Sequence, residues 1–218
     1  MNQELFFTSL QLFEWIGTVA FALAGAMVAV DKRTDLFGVV FLAITTAMGG
    51  GIVRDTLMGR FPAAFFTNHT CLILSVISAL IVFIIARCCR AYYLKNVEVI
   101  DHVNQIFDAL GLGAFAVSGT QMAIEAGYAD NVVYVIFLGM TTAIGGGIMR
   151  DLFLGQIPFV FRKYIYALAA ISGAYLCYML YMDGLSMTTA MASGLILTFL
   201  VRMCAMHYHW NLPKAIPD

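Results

Sequence analysis

The stretch "TTAMGGGIVRDTLMGRFP", residues 45–62, is repeated further along the chain as "TTAIGGGIMRDLFLGQIP", residues 141–158. Each copy places three adjacent glycines in an apolar run and follows them with an Arg-Asp pair. The segments before them also match, because "FEWIGTVAFALAG" at 13–25 resembles "FDALGLGAFAVSG" at 107–119. A repeat of this extent predicts two copies of one structural unit.

The composition indicates that most of the surface faces lipid rather than water. Hydrophobic residues make up 61% of the chain, charged residues make up 11%, and the mean hydropathy is +0.87. A soluble domain uses about 25% charged residues to cover its surface. The net charge of −1 gives no reason to expect a nucleic-acid partner. Membrane lipid is the expected surroundings.

Seven apolar runs are long enough to cross a hydrocarbon core about 30 Å thick. Backbone groups in lipid must be hydrogen-bonded internally, so continuous runs of this length predict helices. The sequence therefore predicts an all-α membrane protein with seven transmembrane helices, at residues 10–30, 36–58, 70–90, 105–127, 132–154, 164–182 and 185–206.

Charged residues in the connections predict the orientation in the membrane. With the motif arginines set aside, nine Lys and Arg residues fall on one side and Arg60 alone on the other. Positive residues accumulate on the cytoplasmic side, which predicts an outside N-terminus and a cytoplasmic C-terminus, in the cell inner membrane. The nine are Lys32, Arg33, Arg87, Arg90, Lys95, Arg162, Lys163, Arg202 and Lys214.

The repeated unit holds three spans, an odd number, and no further span separates the two copies. The second copy must therefore cross the membrane in the opposite sense, as an inverted 3+3 repeat. We expect residues 1–95 to form the first repeat, 96–183 the inverted second repeat, and 184–218 the seventh helix with a cytoplasmic tail.

The glycine triplets predict a kink or an unwound turn in the second and fifth spans. Each glycine weakens a helix interior by about 1 kcal/mol relative to alanine. Close packing between helices is the alternative interpretation, because glycine lets backbones approach. A break would free carbonyls that could coordinate a cation together with nearby hydroxyls. The candidate groups are Thr45, Thr46, Gly49, Gly50, Gly51, Ser118, Thr141, Thr142, Gly145, Gly146 and Gly147.

Ionisable residues follow the glycines within a turn, at Arg54, Asp55, Arg150 and Asp151. Charges inside a membrane are costly and favour a functional role. Adjacent helical residues point about 100° apart, so each Arg is expected to pair with another helix rather than with its own Asp. Glu14 and Asp108, near the starts of the repeated first helices, are the candidate partners. A purely structural salt-bridge lock is the alternative.

No residue pattern predicts a cofactor, a metal site or an enzyme. The five cysteines have no paired spacing, and "HYHW" at 207–210 offers only two histidines, fewer ligands than a metal site needs. The sequence lacks HExxH, GxSxG and P-loop motifs.

The paired "GGGIVRD" and "GGGIMRD" motifs, on the second and fifth of seven spans, resemble the trimeric intracellular cation (TRIC) channel family, especially its prokaryotic branch, whose repeated domain is also catalogued as a glycine-transporter domain. The resemblance implies a homotrimer with an ion pathway inside each protomer, bounded by second and fifth helices kinked at their glycines. It also implies passive conduction of monovalent cations such as K⁺. The animal relatives carry Lys-Glu where this chain has Ala47 and Met48, so a role of that pair does not transfer.

Three functions are consistent with these features. A cation channel is favoured, with Arg54 and Arg150 as electrostatic plugs that carboxylates neutralise when the path opens. An alternating-access transporter for a small amino acid such as glycine is the second, because inverted repeats and discontinuous helices are typical of carriers. A structural or assembly protein is the third, because glycines can serve packing alone.

Overall fold

The chain is described here by a computed structural model, which covers residues 2–67, 69–89, 93, 95–161 and 165–210, with side chains from residue 10 onward. The described residues are helical almost throughout, in agreement with the predicted fold class. Their α-helices are α1 (Asn2–Asp31), α2 (Leu36–Leu57), α3 (Ala64–Thr67), α4 (His69–Cys88), α5 (Val97–Ala123), α6 (Val132–Phe153), α7 (Ala167–Met182) and α8 (Met187–His207).

Five of the described helices, α1, α2, α4, α6 and α8, are long and apolar enough to cross a membrane. The helix α7 is apolar but has only 16 residues, and the predicted start of its span, at 164, lies outside the described residues. The helix α5 corresponds to the predicted span at 105–127 and continues into a π-helical turn, Ile124–Tyr128. The all-helical membrane fold is thus established, and the number of seven spans stays a prediction. The tail from residue 211 lies outside the description.

Local signals set the ends of the repeated helices in the same way in both copies. Asp35 accepts a hydrogen bond from the Gly38 amide at 2.8 Å to begin α2, and Asn131 begins α6 through the Tyr134 amide at 3.1 Å. Past each C-terminus stands a glycine, Gly59 with φ +67° or Gly155 with φ +64°. A left-handed residue at this position ends a helix at little cost only when it lacks a Cβ.

The helices α2 and α6 cross in opposite directions at their glycine triplets. A Cβ on Gly50 would collide with the carbonyl oxygen of Thr142, and a Cβ on Gly146 would collide with that of Thr46. From the contact at Thr46 to the contact at Gly50, the facing residue changes from Gly146 to Thr142, so the two helices cross antiparallel. The two contacts are reciprocal, because these glycines and threonines occupy matching positions in the repeat.

The helices α1 and α5 cross in the same reciprocal way. Gly17 lies against the ring of Phe115, where a Cβ would come within 3.0 Å, and Gly111 lies against the ring of Phe21. The two phenylalanine rings meet with centroids 5.3 Å apart. Both crossings therefore share one pseudo-two-fold relation. The third helix of each copy packs outside, α4 on α1 and α2, and α7 on α5 and α6, while α8 packs on α5 and α7.

Of the predicted kink or unwound turn at the glycines, the unwound turn is wrong, and the kink stays a prediction. Helix α2 runs without interruption from Leu36 to Leu57, and α6 runs likewise from Val132 to Phe153. The backbones of the two helices approach so closely that only glycine fits between them. The alternative interpretation, close packing through small residues, accounts for the central glycines.

Candidate functional site

The C-terminal end of α2 forms a buried ion cluster with α1, which we call the first cluster. The Arg54 guanidinium donates through Nη1 to Glu14 Oε1 at 3.0 Å and through Nε to Asp55 Oδ1 at 2.9 Å. The other Asp55 oxygen accepts the Ala64 amide at 2.7 Å, and Ser118 donates to Glu14 at 3.4 Å. Charge-assisted bonds of this kind hold both carboxylates in place.

The C-terminal end of α6 forms the matching second cluster. Arg150 donates through Nε to Asp151 Oδ1 at 2.8 Å, and its Nη1 lies 3.7 Å from Asp108 Oδ1. The other Asp151 oxygen accepts the Phe159 amide at 2.8 Å, and Tyr166 donates to Asp108 at 3.3 Å. Aspartate is one methylene shorter than the Glu14 of the first cluster, which accounts for the longer distance to Arg150.

A third arginine, Arg202 of α8, also belongs to the second cluster. Its Nη2 lies 3.9 Å from Asp108 Oδ2, and its guanidinium carbon lies 4.6 Å from the centre of the Tyr166 ring. The side chain is 1% exposed. The expectation that Arg202 is one of the cytoplasmic loop charges is wrong, because its side chain is buried in the second cluster. Its position inside the last predicted span, four residues before that span ends, was the signal that could have identified it.

The predicted partners Glu14 and Asp108 are both confirmed. The prediction that neither arginine pairs with its own aspartate is wrong, because Arg54 binds Asp55 and Arg150 binds Asp151. The 100° separation holds for the Cβ atoms of adjacent residues, but the arginine side chain is long enough to curl around the helix end.

The two clusters lie on opposite sides of the α2–α6 crossing. Arg54 and Arg150 each stand near the C-terminus of their helix, and the two helices run in opposite directions. At a rise of about 1.5 Å per residue, each arginine is roughly 9 Å from the crossing along its helix. The clusters are therefore separated by roughly 18 Å along the common direction of the helices.

Three of the four threonines before the glycines donate to carbonyls of their own helices. The hydroxyls of Thr46 and Thr142 are buried, and they donate to the carbonyls of Leu42 and Leu138 at 2.6 Å each. Thr141 donates to the Phe137 carbonyl at 2.8 Å, and Thr45 is half-buried. The expectation that these hydroxyls join carbonyls freed by a helix break is not met, because the helices continue.

The third glycine of each triplet does not lie in the crossing. A Cβ on Gly51 would lie 3.7 Å from the Arg54 guanidinium, and one on Gly147 would lie 3.8 Å from that of Arg150, both ordinary contact distances. Beside Arg150 a cavity of about 10 Å³ is bordered by Gly147, Phe159 and Tyr166. It has room for about one water molecule.

The part of the chain that the structure describes holds no group of three His, Cys, Asp or Glu side chains suited to a metal ion. Two of the cysteines, Cys71 and Cys177, are buried in the helix packing. Four of the acidic side chains, Glu14, Asp55, Asp108 and Asp151, are engaged by arginine instead.

The chain is similar to known proteins over both copies of the repeat. A family model described as "Glycine transporter" matches residues 11–87 and 105–182. The chain is 34% identical to the "UPF0126 membrane protein" of Deinococcus radiodurans over 100% of both chains. It is 30% identical to "UPF0126 inner membrane protein YadS" of Escherichia coli K12, over 93% of this chain and 94% of that protein.

A solved structure matches the fold over nearly its whole length. The TRIC trimeric intracellular cation channel orthologue from Rhodobacter sphaeroides superposes with a TM-score of 0.81 and 32% sequence identity. The match covers 92% of this chain and 98% of that chain. With its five long apolar helices and inner-membrane relatives, this chain is a multi-pass protein of the inner membrane.

Proposed function

The chain belongs to the glycine-transporter-domain family of membrane proteins, the prokaryotic branch of the TRIC channels, and from this premise we propose that it is a channel conducting monovalent cations, K⁺ among them. The observation that carries the proposal is the pair of buried ion clusters on opposite sides of the α2–α6 crossing. Each cluster supplies two carboxylates and at least one arginine, which are groups able to attract a cation and to block it.

In this proposal each protomer holds its own pathway along α2 and α6. The two repeats, residues 1–95 and 96–183, have inverted orientation, and 184–218 adds α8 and a cytoplasmic tail. The antiparallel, reciprocal crossings support this arrangement, because a two-fold axis in the membrane plane produces such contacts. Seven spans with an outside N-terminus place the first cluster toward the outer side and the second toward the cytoplasm.

Arg54 and Arg150 gate the pathway as electrostatic plugs. An unpaired guanidinium in a low-dielectric passage opposes a cation by several kcal/mol, and pairing with a carboxylate removes most of that barrier. In the structure both arginines are already paired and buried, so pairing alone does not open the pathway, and in this proposal the guanidinium groups block it by occupying it. Opening then requires that each arginine move aside while it remains bound to its carboxylates.

The protomers assemble as a homotrimer in this proposal. The solved relative from Rhodobacter sphaeroides is described as trimeric, and its fold covers nearly all of this chain. Large apolar side chains are exposed along α4, among them Ile73, Ile77, Ile81 and Ile84. A surface of this kind suits either lipid or a neighbouring protomer.

A carrier for a small amino acid is the second candidate, favoured by the inverted arrangement and by the family description. Carriers of that design receive the substrate carboxylate at the free ends of interrupted helices. Here α2 and α6 are continuous, so they offer no such ends. The channel is therefore the better-supported function.

The test is current through the purified protein in a planar bilayer under a KCl gradient. We expect unitary currents that reverse near the potassium equilibrium potential. Saturable glycine uptake into liposomes of the same preparation, without unitary current, would instead identify a carrier. If a folded trimer shows neither unitary current nor glycine uptake, both the channel and the carrier functions are wrong.

A further inference from the structure

The helix α8 adds a charge that the repeat does not supply. Glu14 and Asp108 occupy matching positions, as do Arg54 and Arg150, and Asp55 and Asp151. Arg202 comes from α8, which lies outside both copies. The pseudo-two-fold relation therefore fails at this one buried cation.

The two clusters consequently differ in formal charge. Among the described residues, the first cluster holds Glu14 and Asp55 with one arginine, which gives −1. The second cluster, counted over the same part of the chain, holds Asp108 and Asp151 with Arg150 and Arg202, which gives zero. Exposed charges nearby, such as Arg60 and Glu125, are screened by salt within about 10 Å and contribute less.

Arg202 is held so that its charge acts on the cluster rather than on solvent. Its side chain is 1% exposed, and it is the second arginine on Asp108, at 3.9 Å against 3.7 Å for Arg150. The rings of Tyr166 and Phe159 cover its guanidinium at 4.6 Å and 5.7 Å. Among the described residues its Nε and Nη1 have no hydrogen-bond acceptor. Few polar groups around the Arg202 guanidinium are therefore available to screen its positive charge.

We propose that Arg202 makes the two ends of the pathway unequal: the first cluster concentrates cations and the second, neutralised by Arg202, limits their passage. The inference rests on the proposed channel function. The net negative charge of the first cluster raises the local cation concentration and favours cation entry from that end, so the current of a single channel is larger at one polarity than at the other. Arg202 is thus a determinant of conductance that does not belong to the repeated motif.

The test compares single-channel currents at equal positive and negative potentials in symmetrical KCl of low concentration. We expect the wild-type protein to rectify. Arg202→Gln should bring the ratio of the two currents close to one and raise the conductance roughly two- to tenfold, the range expected for a unit charge about 10 Å away. Arg202→Lys keeps the charge and should keep the rectification.

A second variant tests the same asymmetry from the other end. Glu14→Gln makes the first cluster neutral, so rectification should again be lost, now with a lower conductance. If Arg202→Gln gives no folded trimer, Glu14→Gln tests whether the charge difference between the two clusters causes the rectification. Wild-type channels without rectification, or variants that rectify as the wild type does, would overturn the role of Arg202 while leaving the channel intact. Wild-type protein without current would refute the channel itself.

Discussion

Replacing Gly50 or Gly146 by alanine should destabilise the protein by about 3 kcal/mol or more, because a new methyl group would be forced into a backbone carbonyl of the facing helix. Neither Thr142 nor Thr46 can withdraw its carbonyl without separating α2 from α6. We expect each variant to lose most of its yield as a folded oligomer, measured by size-exclusion chromatography and by thermal unfolding in detergent.

Gly51→Ala is the matched control for this prediction. It changes the next residue of the same triplet, where the added Cβ finds only an ordinary contact at 3.7 Å. Alanine favours a helix by about 1 kcal/mol over glycine, so this variant should be at least as stable as the wild type. If Gly50→Ala and Gly51→Ala unfold at the same temperature as the wild type, α2 and α6 do not cross closely at Gly50.

The glycines show how far the sequence could predict this fold. Long apolar runs predicted the helices, because lipid leaves few alternatives for the backbone, and the repeat predicted two copies of one structural unit. The triplets were ambiguous, since three glycines suit both a broken helix and a tight crossing. The choice depends on the facing helix, and residues 45–62 give no information on which helix that is.

The partners of the buried arginines could be predicted only in part. Glu14 and Asp108 could be identified because charges in lipid need partners and these two acids stand near the predicted starts of matching spans. The bonds from Arg54 to Asp55 and from Arg150 to Asp151 depend on the rotamer of a long side chain at a helix end. Arg202 was placed with the loop charges although it lies inside the predicted span 185–206, because the sequence does not show that α8 packs it beside Asp108.

Arg150→Ala should raise the open probability of the channel by about tenfold or more, a change of about 1.4 kcal/mol or greater in the gating equilibrium. The substitution removes one positive plug, while Arg202 remains 3.9 Å from Asp108 and the Phe159 amide remains on Asp151. Both carboxylates of the second cluster thus keep a partner, and the fold should survive. Single-channel recording of the purified trimer measures the effect.

Arg54→Ala gives the informative comparison, because the first cluster has no second arginine among the described residues. Glu14 and Asp55 would face each other without a cation, and breaking a buried pair in this way costs about 3–5 kcal/mol. We therefore expect little folded trimer from Arg54→Ala and a normal yield from Arg150→Ala, with Arg150→Lys gating nearly as the wild type. An intact Arg150→Ala trimer with unchanged gating would refute the hypothesis that Arg150 is an electrostatic plug. Equal loss of folded trimer in both alanine variants would show that Arg202 does not replace Arg150 in the second cluster.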